Sequence, residues 1–370
     1  MNAPVPFLDA RRAEALESFR VKGVPHRRIE EWKYSDVRSA LGAEDVAKAG
    51  AAKWQIEGVA ENVEIVDLSG NAPQWVRDHI PAASQNAMET ATVAFATGGV
   101  ALRVSCDKIA GPIRLNWSEH GHARLLIVVE EGASLALVET HTAANGLRNI
   151  GAEIFLGANA QLSHVVVGHK AEGVRVETFA IKAARDSRYN AHFANFGARL
   201  SRSDITVILE GEGSEARISG VSALGGETHA DVTTHVIHAV GHTQSAQLFK
   251  KAAAGRSRAV YQGRVTVKEG ANGSDSRQTA KGILLGERAE IDLKPELIIF
   301  ADDVKCAHGA AVGDLEAEQL FYLRARGLPE AEARNLLIRA FLEDAVLEIA
   351  DEAIRAEVWR DVETALETMT

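Results

Sequence analysis

Gly132-Ala133-Ser134-Leu135-Ala136-Leu137-Val138-Glu139-Thr140 is followed, 25 residues after its first glycine, by Gly157-Ala158-Asn159-Ala160-Gln161-Leu162-Ser163-His164-Val165-Val166-Val167. Each phrase is a small-residue turn that feeds a short apolar, partly β-branched run. The same phrasing returns as GEGSEARISGV from Gly211, GRSRAVYQGRVTV from Gly255 and GERAEIDLKPEL from Gly286, at roughly that interval or a loose multiple of it. Short strands at regular spacing with few helical stretches between them predict a mainly β architecture over 89–313. Coil-like recurrence with small-residue turns fits a parallel β-helix better than a sandwich, which stays as the alternative. In such a solenoid each coil buries its inward side chains on its neighbours, so the two ends need covers.

Outward from this core the texture becomes helical. Over residues 1–88, Leu8 to Val21 carries apolar residues at helical spacing, and Gly23-Val24-Pro25 stops the run. Trp32 and Tyr34 then stand in a charged setting, and their rings are expected to pack against the next domain. Over 314–370, Glu316 to Arg326 reads as a helix closed by Gly327, and Pro329 suits the start of the next. Glu330 to Ala350 carries Leu336, Leu337, Ile338, Phe341 and Leu342, and Asp351 to Met369 adds Ile354, Val358 and Val362. These helices form a small domain or a docking surface.

Composition bounds the function. Aromatics make up only 5% of the 370 residues, so the core must be built from Val, Ile, Leu and Ala. The net charge is −10, and Asp314–Thr370 alone holds 14 acidic against 6 basic residues. Nothing concentrates positive charge on one face, which disfavours a nucleic-acid partner. The acidic segment suits either a basic protein partner or a solvated helix face. No signal peptide and no membrane-spanning run is read. Two cysteines 200 positions apart make no disulfide framework, which fits a reducing cytoplasm.

The chemistry-bearing motifs are few. There is no G-x-x-x-x-G-K-[ST], no H-E-x-x-H, no C-x-x-C, and no G-x-G-x-x-G placed between a strand and a helix. Two cysteines cannot hold a four-thiolate cluster alone. The candidate that remains is Cys306-Ala307-His308. In an extended segment, side chains at i and i+2 leave the same face, so the pair could hold a soft metal or sulfur. A buried spectator thiol beside a hydrogen-bonded histidine is the competing reading. His229, His235, His238 and His242 do not share one parity, and are expected to be outward residues on a solenoid face rather than a metal site. Asp302-Asp303 and the Asp292/Glu296 pair keep a cytosolic β-helix enzyme acting on a glycan as the rival function.

Four blocks together resemble the SufB/SufD family of scaffold subunits of the SUF iron–sulfur cluster assembly machinery, in its SufD branch. They are Glu31-Trp32-Lys33-Tyr34-Ser35-Asp36; His229 through Asp231 and His235 to Ser245 and Lys250; Leu284-Leu285-Gly286 through Ile291 to Lys294-Pro295-Glu296-Leu297; and Ala301 to Gly313, continued by Gln319-Leu320-Phe321-Tyr322-Leu323-Arg324-Ala325-Arg326-Gly327. The resemblance is weakest between about 40 and 120. It implies a right-handed parallel β-helix flanked by N-terminal and C-terminal helical regions, and a non-enzymatic role. It implies a complex with SufB and the ATPase SufC, with SufC docking on the C-terminal helices. Leu320, Phe321, Leu336, Leu337 and Phe341 are the candidate docking residues there. SufB would pair near the C-terminal end of the solenoid, where a nascent cluster forms, and the isolated chain could pair with itself through the same surface. His308 matches the histidine implicated at that interface, and Cys306 the cysteine two before it. Both become candidate ligands of iron or a nascent cluster, shared with SufB, while no cofactor is expected to be held stably by this chain alone. The place where SufB-like chains carry an essential cysteine is Lys281-Gly282-Ile283-Leu284-Leu285-Gly286, without one, which favours the SufD branch.

Overall fold

The computed structural model describes residues 9–59, 61–79 and 84–369; Leu8, the first residue of the expected N-terminal helix, lies outside them. Two nine-stranded sheets face each other, and successive strands alternate between them, so that neighbours within a sheet are one coil apart in sequence. From Gly99 onward all pairings within each sheet are parallel, as between Arg188–Asn195 and Glu215–Leu224. This is a parallel β-solenoid. One sheet ends in Glu290–Ile299 and is covered outside by the N-terminal segment; we call it the N-sheet. The other ends in Val304–Gly313 and is covered by C-terminal helices; we call it the C-sheet.

The turn phrases form a stacked column. Asp107, Gly132, Asn159, Asp186, Gly213, His242 and Gly273 all take left-handed φ values between 55° and 74°. Glycine, asparagine, aspartate and histidine are the residues that tolerate this region. The amides of Gly132, Asn159 and Asp186 each donate at 2.9 Å to the carbonyl just before the next left-handed residue, on Ala158, Arg185 and Glu212. The coil interval read in the sequence is thus set by a hydrogen-bonded turn at every rung. His242 belongs to this column; a Cβ on Gly273 would lie 2.6 Å from its Nδ1, so the rung above His242 needs glycine.

The lumen between the sheets holds the main core: Leu115, Leu137, Leu162, Ile154, Ile181, Val207, Phe179, Phe193, Phe249, Tyr261 and their neighbours. Alternation along each strand sends every second side chain there. The sequence expectation of Val, Ile, Leu and Ala holds, with aromatics only in a few rungs.

The segment read as helical up to residue 88 also contributes Lys53–Glu57 and Val63–Asp67, short strands that add antiparallel to the first edges of the C-sheet and N-sheet. Their Trp54, Ile56 and Ile65 pack against the lumenal core and cover its beginning. Helices Asp9–Lys22 and Ala87–Phe95 cross the N-sheet face, burying Val93 and Ala94 against Ala101, Leu126 and Val128. At the other end of the chain, Glu330–Val346 and Glu352–Glu367 bury Leu342, Val346, Ile354, Val358 and Val362 on Val138, Val165, Ala194 and Val221 of the C-sheet.

Burial holds five imidazoles neutral: those of His122, His229, His235 and His238 fall to about 4, and that of His192 to about 3. His238 faces the lumen between Thr243 Oγ1 at 2.7 Å and Ser245 Oγ at 2.9 Å. A histidine whose folded pKa lies below its unfolded value contributes stability above about pH 6.5, and loses it as pH falls towards the folded value. The urea midpoint should therefore drop steadily between pH 7 and about pH 4, with net proton uptake on unfolding. His238→Asn should flatten part of that slope; a midpoint independent of pH across this window would show that these imidazoles are not held neutral.

Candidate functional site at the open end of the solenoid

Glu290–Ile299 and Val304–Gly313 are the last strands of the two sheets, and among the described residues no strand pairs beyond them. Their outer edges carry a row of backbone donors and acceptors without a ladder partner, the arrangement that templates pairing with another chain. Lumenal side chains of this final rung, Leu293, Leu297, Val304 and Cys306, pack on the core from one side only. Ile298, Ile299, Phe300 and Val312 are exposed around them, Phe300 to 65%. An apolar lumen therefore opens directly to solvent here.

Cys306 and His308 lie on this rung, on the same face of Val304–Gly313. In parallel register Cys306 pairs with Ser276, and His308 with Gln278, both of which are buried lumenal residues. The two side chains thus stand at the mouth of the lumen, the thiol half-buried and the imidazole exposed. Burial raises the Cys306 thiol above its ordinary range and the Asp275 carboxylate adds to this, against a lowering contact with the Ser276 backbone. Among the described residues no three His, Cys, Asp or Glu side chains converge to hold a metal. The pair is one thiol and one imidazole, and no complete site.

The other sequence candidates go elsewhere. His229 is half-buried beneath the N-terminal segment with Nε2 3.0 Å from Ser35 Oγ, and His235 sits 2.9 Å from Thr266 Oγ1 on the outer face of the N-sheet. His238 was expected outward and instead points into the lumen, because it shares parity with Val232 and Val236 of its strand. The four do not converge. Asp292 is engaged by Arg258 at 2.8 Å, and Glu296 by Lys294 at 3.0 Å and Arg264 at 3.1 Å. Salt-bridged carboxylates of this kind make no general acid and base pair.

The block Glu31–Asp36 docks on the N-sheet as expected for Trp32. Its indole is buried among Leu147, Val174 and Leu200, with the Arg202 guanidinium 4.0 Å from the ring centroid. Arg202 Nη1 also donates to Asp231 at 2.9 Å, and Ser35 Oγ to the same carboxylate at 2.5 Å. Glu30 reaches Lys294 on the terminal strand at 2.9 Å. The N-terminal segment thereby ties the last rung of the N-sheet to earlier coils.

On the C-terminal helices, Phe321 is 73% and Leu336 46% exposed. Leu320 and Leu337 are half-buried, and Phe341 turns inward, its ring 4.5 Å from Lys250 Nζ on the C-sheet. Tyr322, also exposed, extends the open apolar surface.

Sequence reading missed the polar side chains beneath the mouth. Ser245, Ser276 and Cys306 form one lumenal column, and Gln247, Gln278 and His308 the next. Their separation by 30 or 31 residues, one coil at this end of the chain, is the signal that could have found them. It also missed Glu139, which takes Trp117 Nε1 at 2.7 Å and lies 3.1 and 3.0 Å from His141 and His164 inside the lumen. That group is sealed in the core, where His141 Nδ1 faces Glu177 Oε1 at 3.5 Å.

A solenoid of this build, with an uncovered last rung, belongs to a defined class. Residues 114–341, more than half of the chain, match the SUF system FeS cluster assembly, SufBD core domain family, and the chain belongs to it. SufD of Escherichia coli is 28% identical over 91% of this chain and 88% of its own length. A SufBD family protein of Synechocystis is 36% identical over 59% of this chain, which spans about half (51%) of that relative. SufD of Bacillus subtilis is 29% identical over 63% of this chain and 55% of its own length.

A thiol whose anion is disfavoured reacts slowly with alkylating agents. In a Cys106→Ser background, labelling of Cys306 by iodoacetamide should be slow at neutral pH and climb only above the ordinary thiol range of about 8.5. Fast labelling already at neutral pH, followed by peptide mass spectrometry, would contradict the raised pKa.

Proposed function

We propose that this chain is a scaffold subunit of the SUF machinery for iron–sulfur cluster assembly, and that its open solenoid end is half of the assembly site. The observation that carries the reading is the uncovered last rung bearing Cys306 and His308 on one face at the mouth of the lumen. Imidazole and thiolate both suit iron. Two donors need others, and a second protein that pairs with the exposed strand edges would bring them to the same place. SufB is the partner this reading assigns, its strands continuing the two sheets across the interface. The half-buried thiol and the exposed imidazole would then become enclosed as the apolar rim is buried.

The chain acts here as a scaffold and not as an enzyme; energy from nucleotide hydrolysis would come from SufC. The SufC surface is assigned to the outer side of the C-terminal helices, around Phe321 and Leu336, since the inner side is committed to the C-sheet. With no partner present, the open ends of two copies of this chain can cover one another as a homodimer. No helix among the described residues is long and apolar enough to cross a membrane.

Reconstitution with SufB and SufC tests both assignments. His308→Ala should leave the three-protein complex intact in gel filtration and reduce cluster formation, followed by absorbance, by at least about tenfold. Loss of the complex itself would make His308 structural. Removing residues 315–370 would uncover Val138, Val165 and Val221, so point changes serve better. Phe321→Ser with Leu336→Ser should weaken SufC capture without changing the thermal midpoint, and unaltered capture would move the docking surface elsewhere.

A further inference from the structure

Beneath His308 lies a chain of side-chain hydrogen bonds whose directions can be assigned. Gln247 Oε1 accepts from Thr234 Oγ1 at 2.6 Å and from the Tyr261 hydroxyl at 3.0 Å. Tyr261 is fully buried, and burial keeps its phenol protonated, so it has one proton to give. That proton goes to Gln247. The hydroxyl also lies 3.3 Å from Thr234 Oγ1, whose own proton goes to Gln247, and 2.9 Å from Gln278 Nε2, which as an amide NH2 can only donate to it. The amide of Gln278 is oriented by this chain, and its Oε1 is left over: buried, with no hydrogen-bond partner among the described residues. Buried acceptors are rarely left unpaired.

The space for this arrangement is built in. A Cβ on Gly263 would stand 2.0 Å from Gln278 Nε2 and 2.3 Å from the Tyr261 oxygen, so any other residue there would break the chain. One rung further on, the register partner of Gln278 is His308, on the same face. Adjacent strands lie about 4.8 Å apart, within the span of an imidazole laid over an amide. Among the described residues no strand continues the column beyond His308, whose register position sets it beside the free carbonyl on the open side.

We propose that Gln278 is a positioning residue for His308: its side-chain carbonyl accepts one ring N–H of the neutral imidazole, so that the other nitrogen presents its lone pair outward from the mouth of the lumen. This rests on the reading of His308 as a ligand at the shared site. A ligating histidine ordinarily donates its second ring N–H to such an acceptor, which fixes tautomer and ring orientation together. Thr234, Gln247 and Tyr261 act through Gln278 and need not touch the metal.

The test uses the full chain labelled with 15N at histidine. Long-range proton–nitrogen correlation spectra at a pH where the ring is neutral report the tautomer of each histidine, and His308 is assigned by its loss in His308→Ala. The wild-type ring should favour one tautomer by about fivefold or more, as a single hydrogen bond allows. Gln278→Leu should shift that ratio, and Gln278→Glu, which keeps an acceptor towards His308 while its second oxygen takes the Tyr261 proton, should preserve it. In the complex with SufB and SufC, Gln278→Leu should lower cluster formation about tenfold while Gln278→Glu retains most of it. Nitrogen shifts of His308 that are the same in wild type and Gln278→Leu would overturn the proposal. A Gln278-dependent tautomer in a chain whose His308→Ala variant still assembles clusters would uphold the positioning and overturn the ligand reading instead.

Discussion

A parallel β-solenoid satisfies its backbone only by adding the next coil. Each strand's amides and carbonyls are met by neighbours on both sides, and each lumenal side chain rests on one below and supports one above. The stacked left-handed turns show how tightly this repeats, with the Gly132, Asn159 and Asp186 amides making the same bond to the following turn. Such a structure has no natural end, and its chemistry follows from how the two ends are treated.

They are treated oppositely. At the beginning, two strands of five residues run antiparallel to the first coil, and Trp54, Ile56 and Ile65 cover the lumen. Short antiparallel edges are poor templates for further pairing. At the far end stand two ten-residue strands, and the inner positions of the last are Val304, Cys306, His308 and Ala310. Nothing there is large enough to close the lumen. Meanwhile Glu30 and Lys294, with the Trp32–Arg202–Asp231 cluster behind them, hold the terminal N-sheet strand in place. The open edge is ordered from behind and bare in front.

Much of this was legible in the sequence because a solenoid writes its coil length into its turns. The Gly132 and Gly157 phrases announce strands, and alternation at i and i+2 places Cys306 and His308 together. Parity also separated His238 from His229 and His235, yet which parity faced inward was not readable. Val232 and Val236 settle that only once the strand is known to span His229–His238 with its even positions on the core. The strands at Lys53–Glu57 and Val63–Asp67 were hidden in a segment read as helical, since five residues of mixed burial carry little periodicity. Gln278 was overlooked for a different reason. Contacts between rungs link residues about 30 apart, and a motif search along the chain does not look there, although the interval itself was in plain view.

That interval bears on how a site can be divided between two chains. Within the solenoid, polar lumenal residues are satisfied by the rung above or below: Ser245 donates to Ser276 at 2.8 Å, and Gln278 to Tyr261. Cys306 and His308 have a rung below and, among the described residues, none above. Whatever covers them must supply backbone partners for two strand edges and apolar cover for Leu293, Leu297 and Phe300 and, on the proposed reading, donors to complete the coordination of a metal. One added coil from another β-solenoid meets the first two needs by its fold, and the third by its side chains. On the proposed reading, protein docking and ligand assembly are then the same event, so that separating the two solenoids would open the metal site as directly as it opens the sheets.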